Sequence, residues 1–200
     1  MKQKEKILII DFGSQFTQLI TRRVREANVY SEIHSHKITF EEIKQYDPTG
    51  IILSGGPMSV YDNDAPDLDE RILKINVPFL GICYGLQLIS KKLGGKVEPA
   101  KDREYGKAIL NVIKTSPLFF NVSPESKVWM SHGDFLTELP QGFDIIAKSD
   151  HSPIGAASNE SAKIYGVQFH PEVVHTDEGR KIIHNFLFEI CKCSGNWTSQ

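Results

Sequence analysis

Two hundred residues carrying 23 basic and 25 acidic side chains, a formal charge of −2, offer no basic footprint for nucleic acid or an anionic membrane. That length suits one domain with a central sheet covered on both faces. Three cysteines, Cys83 alone and Cys191 beside Cys193, do not make a disulfide framework, and residues 7–10 form an apolar stretch too short for a signal peptide or membrane span. The expectation is a cytoplasmic protein whose reducing surroundings keep a thiol usable.

In chain order, residues 6–12 predict a first strand, and Ser14 can cap a helix over residues 15–27. Residues 30–35 predict a second strand. Thr39 and Glu42 then have the spacing of a capping box at the start of a short helix. A third strand is expected at residues 50–54 and a fourth at 78–82. The helix after Cys83 runs through Leu86, Ile89 and Leu93 until Gly94 and Gly95 stop it. From 97 to 169 the pattern changes to short strands broken by Pro, Gly, Asn and Asp. A last helix over about residues 177–191 carries Ile182, Ile183, Phe186, Leu187 and Ile190 on one face. Alternating strands and helices predict an α/β fold: an open, mostly parallel, flavodoxin-like sheet with helices on both faces, plus a short-strand antiparallel extension.

Two places carry chemistry. Gly81, Ile82, Cys83, Tyr84 and Gly85 close an apolar run and open a helical one, so a single cysteine stands on a strand-to-helix turn. The glycines remove Cβ clashes at such a turn, and the helix N-terminus favours both a thiolate and a developing oxyanion. Far downstream, a strand-like run delivers His170, Pro171 and Glu172. Residues two apart in extended backbone share a face, and the proline between them holds the backbone extended. A carboxylate beside an imidazole fixes its tautomer and supports its charged form. Cys83, His170 and Glu172 are the expected catalytic set, with two backbone amides, that of Tyr84 and one from Gly55 or Gly56, as an oxyanion hole.

GICYGLQ (residues 81–87) and QFHPE (168–172) resemble the two signatures of class I glutamine amidotransferases. DFGSQFTQ (11–18), LSGGP (53–57), REYG (103–106), MSHGD (130–134) and VVHT (173–176) narrow the resemblance to the amidotransferase domains of the GMP synthase family, over nearly the whole chain. The resemblance implies release of ammonia from L-glutamine through a Cys83 thioester. It implies Gly56 as the second oxyanion amide, and Gln87 with the backbone of Ser131, His132 and Gly133 around the substrate. It gives no cofactor to this chain. ATP, magnesium and XMP are implied only for an ATP pyrophosphatase (synthetase) domain, the expected partner, in cis or in trans. Residues 1–193 are then the glutaminase domain and 194–200 the start of a connection. Without its partner the domain is expected to turn over slowly, because the partner helps order the site.

Other readings stand beside this one. Ser54, Gly55 and Gly56 open like a pyrophosphatase nucleotide loop, but Pro57 and Met58 do not continue it. His175, His184, Cys191 and Cys193 invite zinc, yet one residue between the cysteines is tighter than structural zinc pairs allow, and no metal is expected. Residues 13–17 could cradle a phosphate in a flavodoxin-like FMN carrier, or in the amidotransferase reading form a docking surface for the synthetase. A γ-glutamyl peptide hydrolase would share fold and triad. Asp134 is expected to brace a loop or face a partner, and Arg103, Glu104 and Tyr105 to lie in a solvated loop.

Overall fold

A computed structural model describes residues 5–150 and 152–198, with the side chains of 100–104 excepted. Its frame is set by four strands: β1 (Lys6–Asp11), β3 (Gly50–Leu53), β4 (Phe79–Ile82) and β9 (Ile164–Val167), the last three buried throughout. Side chains alternate across a strand. Ile7 and Ile9 therefore enter one core with Ile20, Val24, Ile182 and Phe186. Leu8 and Ile10 enter the other with Ile43, Leu86 and Ile89. Helices α1 (Thr17–Glu26) and α4 (Gly179–Asn185) cover the first face; α2 (Phe40–Tyr46) and α3 (Tyr84–Lys92) cover the second.

With β2 (Tyr30–Ser35), β5 (Lys96–Val112), β6 (Glu125–Glu138), β7 (Asp144–Ser149) and β8 (Ala156–Asn159), the described residues form one nine-stranded sheet, ordered β2-β1-β3-β4-β9-β8-β7-β5-β6. The pairings from β2 to β9 are parallel and those from β9 to β6 antiparallel. The α/β sheet with an antiparallel extension is therefore present.

Several local expectations need correction. β5 and β6 span 17 and 14 residues rather than short segments. Residues 103–105 belong to β5 and 131–134 to β6, paired strands rather than loops. Ser14 does not cap α1. Its Oγ accepts from the Phe16 N–H at 3.0 Å, closing a local turn, and the helix begins at Thr17. The last helix starts at Gly179 and widens into a π-helical stretch, Phe186–Ile190. The Thr39–Glu42 capping box forms as expected.

The parallel strands run the same way, so the loops after β1, β3, β4 and β9 gather on one edge of the sheet. This is where ligands settle in open α/β sheets, since helices leave in opposite directions and open a crevice. The residues after 193 pack against the body: Ser194 donates to Glu5 at 2.7 Å, and the Trp197 N–H to the Asn28 carbonyl at 2.9 Å.

Candidate active site

Cys83 stands between β4 and α3 with φ 50° and ψ −107°, a positive-φ conformation that side chains avoid. The strain falls on the cysteine, not on its glycines. Gly81 and Gly85 serve close packing instead: a Cβ on Gly85 would lie 2.5 Å from the Leu53 carbonyl, and one on Gly81 2.7 Å from the Leu86 nitrogen. The Cys83 N–H donates to the Val167 carbonyl at 2.8 Å, which ties the turn to β9 three residues before His170.

His170 and Glu172 are brought together as expected, but across a turn at residues 171–172 rather than along extended strand. Nδ1 of His170 and Oε1 of Glu172 lie 2.8 Å apart, and both side chains are buried. The Glu172 Oε2 has no hydrogen-bond partner among the described residues, so the carboxylate leans on the imidazole. Burial opposes charge on His170. The Glu172 carboxylate and a hydrogen bond shared with Cys83 overcome it and push the imidazole up to about 10. Such a site favours imidazolium beside the sulfur.

Neighbouring groups pin this segment. The His170 N–H donates to the Trp129 carbonyl at 3.0 Å, and its carbonyl accepts from the Thr176 hydroxyl at 2.6 Å. Arg23, buried on α1, donates Nε–H to the Glu172 carbonyl at 3.1 Å. Phe16 meets the His170 ring edge-on at 5.3 Å. None of these positions was given a part in holding His170 or Glu172 by the sequence reading; Trp129, Arg23 and Phe16 reach them from segments remote in the chain.

Cys83 and His170 open into a cavity of about 760 Å³, within the usual range for small-molecule sites. Gly56, Gln87, Ser131, His132 and Gly133 line it as well, as do Asp134 and Tyr105 from the β5–β6 hairpin. Glu172 lies behind His170. Tyr84 is buried, its hydroxyl donating to the Pro66 carbonyl, but among the described residues neither its N–H nor that of Gly56 is taken by another group of the chain. The Gln87 Nε2 donates to the Asp134 carbonyl at 2.9 Å, so Asp134 meets this helix through its backbone. Residues 13–16 line the same cavity, which puts the turn after β1 at the sulfur's side.

Among the described residues, the four zinc candidates do not gather into one group. His175 packs on Trp129 and His184 on Phe188. Cys191 and Cys193 are core residues; burial drives the Cys191 thiol well up and the Cys193 thiol up to about 12. Iodoacetamide at pH 7.5 is accordingly expected to label Cys83 alone in the folded chain. Peptide mapping that finds Cys191 or Cys193 alkylated at a similar rate would contradict this picture.

The family model for glutamine amidotransferase class-I matches residues 8–190. The chain is 55% identical over 199 residues to a GMP synthase [glutamine-hydrolyzing] of Staphylococcus saprophyticus, and 54% identical over 193 residues to that of Brachyspira hyodysenteriae. These alignments take in 100% and 96% of this chain but only 39% and 38% of the relatives. Among solved structures, a Thermoplasma acidophilum protein provisionally described as one subunit of a GMP synthase superposes with a TM-score of 0.84 at 33% identity, covering 96% of both chains. A glutamine amidotransferase of Thermotoga maritima shares the fold, with a TM-score of 0.69 at 24% identity over 95% of this chain and 85% of its own. The chain belongs to the class-I glutamine amidotransferase family.

Proposed function

We propose that this chain is the glutaminase part of a GMP-forming enzyme, with Cys83, His170 and Glu172 as its catalytic set. One observation carries the reading: a strained cysteine and an imidazole open into one cavity, with a buried carboxylate held against the imidazole. The Cys83 thiolate attacks the side-chain carboxamide carbon of glutamine, and the oxygen that becomes negative is received by the N–H groups of Tyr84 and Gly56. His170, charged and oriented by Glu172, gives its proton to the departing ammonia, leaving a thioester. Water then gives a proton to His170 and its oxygen to the thioester carbon, so glutamate leaves and the sulfur is restored. Gln87 and the backbone of Ser131, His132 and Gly133 hold the substrate.

The relatives' greater length supports a partner. Residues 1–193 act as the glutaminase unit, 194–200 begin the connection, and an ATP pyrophosphatase domain uses the ammonia to aminate XMP with ATP and magnesium in the cytoplasm. The test is direct: the chain given glutamine should release glutamate and ammonia in equal amounts, slowly when alone. Added synthetase domain with XMP, ATP and magnesium should accelerate release and form GMP. No glutamate with the partner present would refute the reading.

Gly55 gives a sharper check. A Cβ there would stand 2.9 Å from His170 Cε1 and 3.8 Å from Cys83 Cβ. Gly55→Ala should therefore displace the imidazole and lower kcat about 10²-fold, with the thermal midpoint little changed. Normal turnover in this variant would mean that the ring position is not critical.

A further inference from the structure

Gln168 follows directly on β9 and stands two residues before His170, where the chain bends toward the sulfur. Gln168 is fully buried, and its N–H donates to the Gly155 carbonyl at 2.9 Å. Its side chain is fixed at both ends: Oε1 accepts from the Gln87 Nε2 at 3.4 Å, and Nε2 lies 3.7 Å from the Cys83 Sγ. The mechanism above leaves this contact unused. The Ser131 carbonyl also lies 3.6 Å from the sulfur. A carbonyl can only accept and so suits the protonated thiol, whereas an amide N–H can only donate and suits the thiolate.

We propose that Gln168 is a further catalytic residue, donating its side-chain N–H to the Cys83 sulfur whenever that sulfur carries negative charge. The charge appears twice. The first occasion is before attack, when His170 is also a donor. The second is during thioester breakdown: the water oxygen bonds to the acyl carbon, the C–S bond breaks with its electron pair on sulfur, and His170 is holding the water's proton. Gln168 needs no proton transfer to serve both times. Its bond to Gln87 holds it in register with the substrate pocket.

This inference rests on the thioester reading for its kinetic part, but the test on the sulfur does not. Iodoacetamide alkylation of Cys83 is followed against pH in Gln168→Met, which keeps volume and removes the donor, with a thermal melt in parallel. His170, Glu172, His132, Asp134, Asp62 and Tyr105, the titratable groups around the sulfur and its cavity, remain in place. The alkylation midpoint should rise by roughly one pH unit, with the rate below the midpoint falling about tenfold, as for a lost hydrogen bond to a charged group. If Gln168→Met does not fold, Gln168→Leu is read the same way. In the unaltered chain, the side-chain amide signals of Gln168 in ¹⁵N NMR should move with the alkylation midpoint. A superimposable alkylation curve in a folded variant, or amide signals that ignore the sulfur's charge, would overturn the assignment. A shifted midpoint in a chain that does not release glutamate would instead fault the glutaminase reading.

Discussion

Cys83→Ala is expected to reduce glutamate release roughly 10⁴-fold or more, since removal of a nucleophile leaves only binding and oxyanion stabilisation. The fold should survive, because the bond that seats the turn runs from the Cys83 backbone N–H to Val167 and not from the sulfur. A second substitution separates chemistry from architecture. At φ 50° and ψ −107°, any side chain is strained, whereas glycine is at ease. Cys83→Gly should therefore be as inactive as the alanine variant yet more stable by about 1 kcal/mol. Denaturant unfolding and a coupled glutamate assay read both effects. Residual turnover above a hundredth of wild type would remove the sulfur from the mechanism.

For Glu172→Gln, turnover should fall by about 10²- to 10⁴-fold, because His170 loses the partner that orients and charges it. The variant also carries a pH signature. In the folded chain the His170 imidazole is raised from an ordinary 6.5 to about 10, against its burial, chiefly by the Glu172 carboxylate. A group raised on folding contributes stability that is fully present below its unfolded value and is lost as pH rises through the folded one. The gap in stability between wild type and Glu172→Gln should thus be widest near pH 6 and close as pH climbs through about 10. A gap of constant size from pH 6 to 10 would mean that Glu172 supports structure without charging His170.

Much of this molecule could be read along the chain. The central strands are short apolar runs rich in β-branched residues, and runs buried on both faces look alike wherever they occur. The capping box of α2 and the glycine stop after α3 are local chemistry, complete within a few residues. His170 and Glu172 are also close along the chain, but they meet across a turn at residues 171–172 that Trp129, Thr176 and Arg23 hold in place.

The β5–β6 hairpin escaped because residues 98–107 are mostly polar and charged and offer no apolar alternation to read; their strand character comes from pairing with β6, not from intrinsic preference. Helix α1 begins late because Ser14 spends its hydroxyl on a local turn beside the cavity. The final π-helical stretch shifts the backbone so that the Cys191 N–H reaches the Phe186 carbonyl, seating its sulfur against Gly50. Arg23 and Phe16 entered the site only through partners distant in the chain.

By itself the sequence determined which residues could do chemistry: a thiol at a turn, an imidazole, and a carboxylate two residues beyond it. Those properties depend on backbone periodicity and neighbouring side chains, which a few consecutive residues specify. Only the tertiary structure decided that the ends of β4 and β9 lie adjacent, that a cavity opens before the sulfur, and that Gln168 and the Ser131 carbonyl both face it. Those facts follow from strand order and packing across the sheet, where partners are selected by shape and burial rather than by proximity along the chain.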